Sequence, residues 1–305
     1  MRVLVLAGGR SLERAVSERS GARVELALRR LGHEPLVVDP GHDLARRLRD
    51  DDVDCAFVAL HGRGGEDGTV QEVLELAGVP YTGADPAACA RASDKATAKR
   101  MLVAAGLPTP AFAALSASAV RDLGADALLD RLAERVGLPL VVKPCVGGSG
   151  FGIRRVGAVD ELPAALLKAL AYDDAVLCEA FVAGREVTVT VLRGQALAAV
   201  ETIPLGGAEY DFDARYTPGA SDFVAPADVG EEPLRLAEQA CALLGCAGFA
   251  RVDFLVPADG PPQLLEVNVV PGLTETSTAP LAAEAVGKPF EELVADLLAD
   301  AVARP

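Results

Sequence analysis

Short apolar runs alternate with amphipathic stretches along most of the chain. Arg2-Val3-Leu4-Val5-Leu6 predicts a buried strand, followed by a turn at Gly8-Gly9-Arg10-Ser11 and a helix from about Glu13 to Leu31. A second strand ends at Leu36-Val37-Val38-Asp39. A third, Cys55 to Leu60, runs into His61-Gly62-Arg63-Gly64-Gly65-Glu66-Asp67-Gly68. Strands alternating with helices predict a parallel sheet, whose ligand crevice lies at the carboxyl ends of its strands, and both glycine-rich turns fall there. The first turn lacks GxGxxG spacing, which argues against a dinucleotide fingerprint. His61 reads either as a ligand group or as a loop histidine without a role.

The pattern resets between residues 90 and 95, where a helix is expected from Ser93, as N-cap, to Ala105, ended by Pro108-Thr109-Pro110. Beyond a helix centred on residues 127 to 136, Leu138 to Pro144 predicts a strand carrying Lys143. Gly147-Gly148-Ser149-Gly150-Phe151-Gly152 follows, and Ile153 to Val156 completes a hairpin. A loop so poor in side chains offers free N–H groups to phosphates, and a lysine at the end of an apolar strand needs a counter-charge. The strand-to-helix setting of a P-loop is absent. Glu179 ends the apolar run from Ala175, and Glu186 opens a β-branched strand. An adenine at a hinge and ribose hydroxyls would suit them, as would plain solvent. From Pro204 to Asp222 periodicity disappears while Tyr210, Phe212, Tyr216 and Phe223 cluster in or beside the stretch. A loop that long and aromatic reads as a lid.

Arg251 to Gly272 carries the sharpest pattern: two alternating strands around a turn at Asp259-Gly260-Pro261. Glu266 and Asn268 leave the same face of the second strand, and Asp253 in the first can lie opposite them. Two carboxylates brought together call for a cation, and Mg²⁺ bridged to phosphates meets that need; solvent-facing acids are the alternative. Gly272 to Ser277 then offers amides and hydroxyls suited to a carboxylate.

Composition narrows the class. The 305 residues fit two or three domains, and half are hydrophobic with only 4% aromatic and no Trp, so the core must be layered Leu, Val and Ala. A net charge of −15 argues against nucleic acid and anionic membrane partners. Six Cys without a CxxC pair and only three His argue against metal clusters and a disulfide framework, and point to most Cys being small core residues. The chain enters a strand directly, without an apolar leader, which predicts a cytoplasmic protein.

In order, the signals are a lysine near 95, a lysine before a glycine flap, two spaced glutamates, then Asp and Glu-x-Asn on a hairpin. That order resembles the ATP-grasp enzymes. More closely, nearly the whole chain is similar to the D-alanine–D-alanine ligases. The likeness runs through Gly8 to Ser17, His61 to Gly68, Tyr81-Thr82-Gly83, Ser93-Asp94-Lys95, Val142-Lys143-Pro144, Gly148-Ser149, Tyr210-Asp211, Arg215-Tyr216, Ala250 to Asp253 and Pro271-Gly272. The fold it implies is α/β with three domains. These are an N-terminal parallel α/β domain (1–93), a central α+β domain with the flap (94–182), and a C-terminal α+β domain (183–305) with the lid 204–222 and the metal-binding hairpin.

The resemblance also implies chemistry. ATP would phosphorylate one D-alanine carboxylate, and the amine of a second D-alanine would attack the acyl phosphate, supplying a peptidoglycan precursor. Lys95, Lys143 and Arg215 would bind phosphates. Glu179 and Glu186 would hold adenine and ribose, with Phe181, Val182 and Leu265 around the base. Asp253, Glu266 and Asn268 would carry two Mg²⁺ ions, or Mn²⁺. Arg251 and the Gly272 N–H would form an oxyanion hole, Glu13 and His61 would meet the first substrate, and Ser277 and Thr278 the second. Ser149 and Tyr216 would join flap to lid. A homodimer is implied too. Several positions depart from the family pattern: Gly150 replaces a serine, Arg215 a lysine, and Val269, Thr278 and Ala279 alter the second-substrate side, which would admit D-serine or a larger D-amino acid. A ligase with another second substrate and a catalytically silent nucleotide binder are the alternatives.

Overall fold

The computed structural model describes residues 1–205, 221–246 and 248–303, arranged around three sheets. In the first, β1 (Arg2–Leu6) lies between β2 (Glu34–Val38) and β3 (Cys55–Val58), all parallel. Alternate residues of β1 enter different cores. Leu4 and Leu6 pack with Leu44, Leu48 and Leu74, whereas Val3 and Val5 pack with Val24 and Leu28 of the helix Arg14–Arg30 and with Leu293 and Leu297 of the last helix, Phe290–Ala303. Covering both faces is what a parallel sheet requires, and here the far end of the chain supplies part of the cover.

The second sheet is antiparallel, with β4 (Phe112–Ser116), β5 (Leu140–Pro144), β6 (Arg154–Val156) and β7 (Ala175–Ala180) in the order β4-β7-β5-β6. The helices Leu129–Val136 and Leu162–Leu170 bury leucines against its face. The third contains β8 (Arg185–Leu192), β9 (Gln195–Pro204), β10 (Ser221–Val224), β11 (Phe249–Val256) and β12 (Gln263–Asn268) in the order β10-β9-β8-β11-β12. One face packs the helix Glu232–Leu244 through Leu236, Ala240 and Leu244; Ala198 and Val200 meet Ala282 of the helix Thr278–Ala285.

The expected helix from Ser93 to Ala105 is two helices, Pro86–Ser93 and Lys95–Ala104. The N-cap of the second is Asp94, not Ser93, because Asp85-Pro86 starts the earlier helix and leaves Ser93 as its last residue. Asp94 Oδ1 accepts from the Ala96 and Thr97 amides at 2.9 and 3.0 Å, so Lys95 opens a firmly capped turn. The hairpin at Arg251–Gly272 forms, with Asp253 opposite Glu266 and Arg251 opposite Asn268. Of the expected lid, Pro204 pairs with Ser221 in the β9–β10 ladder; Tyr210, Phe212, Arg215 and Tyr216 lie outside the described residues. All six cysteines are buried and free. Among the described residues no helix is long and apolar enough to cross a membrane.

Candidate active site

Two adjoining recesses lie between the sheets. The first is lined by Lys95, Lys143, the loop from Gly147 to Phe151, Glu186, Thr188, Thr202, Asp253, Leu265 and Glu266. The second is lined by Glu13, His61, Glu66, Ser149, Arg251, Asn268, Gly272, Ser277 and Thr278. Ser149, Thr188, Asp253 and Glu266 belong to both walls, so whatever occupies one recess meets the contents of the other.

The hairpin holds its acids by pairing them with bases. Arg251 grips Asp253 through two hydrogen bonds, at 2.6 and 2.9 Å, and Lys95 Nζ stands 3.1 Å from Glu266 Oε2. Burial opposes the charge on Lys95, but Glu266 above all, with Glu13, outweighs it and its pKa is raised. Lys95 Nζ also donates to the Gly147 carbonyl, tying the helix Lys95–Ala104 to the glycine-rich loop. Asn268 Oδ1 accepts from the Val270 amide at 2.8 Å, which turns the chain out of β12 towards Gly272.

Among the described residues no three His, Cys, Asp or Glu side chains gather into a cage for a metal ion. Asp253, Glu266 and Asn268 nevertheless bring hard oxygen donors to one end of a hairpin. Two carboxylates and an amide are a partial shell, which fits Mg²⁺ because that ion keeps waters and takes phosphate oxygens for its remaining positions.

Glu13 immediately precedes the helix Arg14–Arg30 and is 7% exposed. It accepts a hydrogen bond from Ser149 Oγ, a residue 136 positions away. Its carboxylate sits against two glycines. A Cβ at Gly62 would come within 2.7 Å of Glu13 Oε2, and one at Gly148 within 2.9 Å of Oε1. Burial raises the Glu13 pKa, while Ser149 and the charge of Lys95 pull it down less strongly. Ser149 itself has φ 57°, an unfavourable left-handed conformation for a serine, which the hydrogen bond to Glu13 accompanies.

His61 is buried with both ring nitrogens engaged. The Val270 carbonyl, 3.0 Å from Nδ1, can only accept, so Nδ1 carries the proton; Nε2 then accepts from Ser20 Oγ at 2.8 Å. Ser20 Oγ in turn accepts from the Leu273 amide at 3.1 Å, and Arg23 donates to the Leu273 and Thr274 carbonyls. Burial pushes the imidazole pKa down to about 4, so His61 is neutral. It fastens the Val270–Thr274 turn to the first helix rather than presenting a nitrogen to the recess. Ser277 Oγ is engaged with the amide and hydroxyl of Thr274, at 3.1 and 2.8 Å.

Glu179, Phe181 and Val182 do not line the first recess. Glu179 is 4% exposed and lies behind Lys143, which donates to its Oε1. Phe181 is partly exposed, with the Arg155 guanidinium 3.9 Å from its ring centre. Val269 and Ala279 are in the core, whereas Thr278 reaches the recess wall. Two residues escaped the sequence reading. Glu66, inside the glycine-rich motif, is pushed up to about 8 by burial and then by Glu13, and keeps its proton at neutral pH. Lys99 is completely buried and stands 3.0 Å from Glu179. Its spacing of four from Lys95 placed it on the same helix face, a signal available without the structure.

Known proteins match this chain along its length. Residues 101–299 match the family model for the D-ala D-ala ligase C-terminus, and residues 40–84 that for the N-terminus. The D-alanine–D-alanine ligase of Syntrophotalea carbinolica is 46% identical over 308 residues, spanning 99% of this chain and 97% of its own. That of Stutzerimonas stutzeri is 45% identical, spanning 99% and 94%. Among solved structures, the Bacillus anthracis D-alanine–D-alanine ligase complexed with ATP superposes with a TM-score of 0.83 at 30% identity, over 99% of this chain and 97% of its own. A D-Ala:D-Ser ligase from Enterococcus faecalis reaches the same TM-score at 26% identity, over 98% of each. Matching family models, near-complete relatives and the close superposition on solved ligases make this chain a member of the D-alanine–D-alanine ligase family of ATP-grasp enzymes.

Proposed function

We propose that this protein ligates two D-alanines into D-alanyl-D-alanine, using ATP to activate the first carboxylate as an acyl phosphate. The observation that carries the reading is the junction of the two recesses at Ser149, Asp253 and Glu266, beside the cations Lys95, Lys143 and Arg251. ATP lies in the first recess, with its phosphates under the Gly147–Gly152 amides and against Lys95 and Lys143. Glu186 accepts the ribose hydroxyls, and Glu179 meets the purine edge once Lys143 has turned away. Leu265 lies against the base, and Phe181 and Val182, outside the recess here, reach it only as that strand end moves inward. Asp253, Glu266 and Asn268 would hold Mg²⁺, two ions with Mn²⁺ as a substitute, and the metal would supply positive charge that eases phosphoryl transfer. Arg251 and Lys95 exchange their carboxylate partners for substrate oxygens as the site fills.

The first D-alanine places its ammonium on Glu13, a charge that lowers the raised Glu13 pKa. The second is held by its carboxylate at Ser277, Thr278 and the neighbouring amides. Its amine attacks the activated carbonyl carbon; the C–N bond forms, the C–O bond to phosphate breaks, and inorganic phosphate leaves. Arg251 and the Gly272 N–H stabilise the oxyanion between these events. Ser149, linked to Glu13, and Tyr216 of the lid pass on the proton that the amine loses. The lid 204–222, whose Arg215 the family likeness assigns to phosphate binding, would exclude the water that hydrolyses the acyl phosphate. The domains 1–93, 94–182 and 183–305 are the units that close on ATP, and family likeness alone carries the further expectation of a cytoplasmic homodimer.

Phosphate release measured with ATP and Mg²⁺ against D-alanine, L-alanine, D-serine and D-lactate, with the product weighed, tests this reading. D-alanine alone supporting release, with a dipeptide formed and EDTA abolishing both, is the expected result. No release with any of them overturns it; preference for D-serine as second substrate would locate the discrimination at the Thr278 wall.

A further inference from the structure

Lys99 is one of the largest side chains with no exposed surface, and a buried lysine is costly unless its charge is answered. It is answered in part: burial still outweighs its partners and brings the Lys99 pKa down to about 8, close enough to neutral for the ammonium to persist. Its ammonium donates to Thr109 Oγ1 at 2.5 Å and to the Leu264 carbonyl at 3.3 Å, and stands 3.0 Å from Glu179 Oε2. Thr109 Oγ1 donates onward to the same carbonyl at 2.7 Å. The pocket for this charge is therefore built from four segments: the helix Lys95–Ala104, the Thr109 turn, β7 and β12.

Glu179 faces two cations. Lys143 occupies Oε1 and Lys99 approaches Oε2, whereas one carboxylate needs only one positive partner. The surplus charge belongs to whichever lysine can leave. Lys143 is that lysine, because it lines the nucleotide recess while Lys99 is sealed behind it. Glu179 Oε2 stands 3.0 Å from the Lys99 ammonium and, as a carboxylate oxygen with a second lone pair, can still accept from another donor.

We infer that Lys99 is a positioning residue for the purine, acting through Glu179. When Lys143 turns to the phosphates, Lys99 remains as the counter-ion that keeps the Glu179 carboxylate ionised and fixed, so that it can accept from the exocyclic amine of adenine. The inference rests on the reading of Glu179 and Lys143 given above, and it extends recognition of the base to a residue that touches no nucleotide. Burial opposes ionisation of Glu179, and the two lysines outweigh it, consistent with this geometry.

The test compares Lys99→Met, Glu179→Gln and the double variant in the full-length enzyme, with kcat and KM for ATP and for inosine triphosphate, whose 6-oxo group cannot donate. The expected result for K99M is a KM for ATP raised about tenfold, the size of one lost charge-assisted hydrogen bond, with kcat changed far less. The preference for ATP over the inosine nucleotide falls by a similar factor. In the E179Q background the same substitution should add little, since it acts through a carboxylate no longer there. An unchanged preference in K99M beside a reduced one in E179Q overturns the inference alone. An unchanged preference in E179Q overturns the reading of Glu179 and the inference with it. Should K99M not fold, the double variant, which lacks both buried charges, is compared with E179Q: equal preference supports the inference and a further drop overturns it.

Discussion

As pH falls, one histidine should withdraw its share of this protein's stability, while Glu66, whose raised pKa favours the folded state in acid, acts in the opposite direction and is common to wild type and variant. His61 is 4% exposed, hydrogen-bonded as a neutral ring to Ser20 and Val270, and titrates at about 4 in place of an ordinary 6.5. The unfolded chain therefore binds a proton near pH 6.5 that the folded chain refuses until about pH 4. Between those values the unfolded state holds more protons, so stability falls as pH falls; above 6.5 the contribution is complete. The 2.5-unit gap corresponds to about 3 kcal/mol over the whole window. About 2 kcal/mol of it is lost between pH 8 and pH 5, before most carboxylates titrate. Urea unfolding of the wild type and of His61→Asn at pH 8, 7, 6 and 5 isolates this effect. The variant should be less stable at pH 8 yet show a flatter dependence, the two curves converging by about 2 kcal/mol at pH 5. Parallel curves, within about 0.5 kcal/mol, would refute the depressed His61 pKa and with it the neutral ring.

Three further outcomes are expected. Ser149→Ala removes the hydroxyl that donates to Glu13, a loss of about 1–3 kcal/mol, so kcat/KM should fall roughly 10- to 100-fold. That hydroxyl lowers the Glu13 pKa, so its loss raises it and the acid limb of the pH–rate profile moves upward; an unmoved limb would separate the two groups. Gly62→Ala combines a φ of +71° with a Cβ 2.7 Å from Glu13 Oε2, whereas Gly64→Ala has φ +88° and open space around its Cβ. Both should lose about 1 kcal/mol of stability, but only the first should raise the KM for D-alanine, by about tenfold or more. Asp94→Ala strips the cap from the helix that begins at Lys95, and should lower stability by about 1 kcal/mol while raising the KM for ATP a few fold; equal KM values would mean that Lys95 is positioned without the cap.

Much of this arrangement was legible in the residues. Alternation predicted the β11–β12 hairpin and put Glu266 and Asn268 on one face, because side-chain direction in a strand follows sequence parity. Apolar runs and glycine turns likewise located β1, β3 and the β5–β6 flap. The cap at Asp94 was missed because a helix ending at Ser93 and one starting at Lys95 read as one periodic stretch when the preceding Asp85-Pro86 start is overlooked. The family resemblance put Phe181 and Val182 around a base, yet whether they reach the recess depends on how Lys143 and Arg155 pack over that strand end.

What the chain determined by itself was therefore local: which segments become strands, where the backbone turns on glycine, and which polar groups share a face. Tertiary structure decided which charges meet. Glu13 and Ser149 become partners only when the first sheet and the flap close on each other, and Lys95 finds Glu266 only when helix and hairpin pack side by side. Burial then sets their ionisation: His61 neutral, Glu66 protonated and Lys99 locked to Glu179 are consequences of desolvation by neighbours from distant segments. Residue type states what a group can do; only the packing around it sets the dielectric and the partner that make it do so.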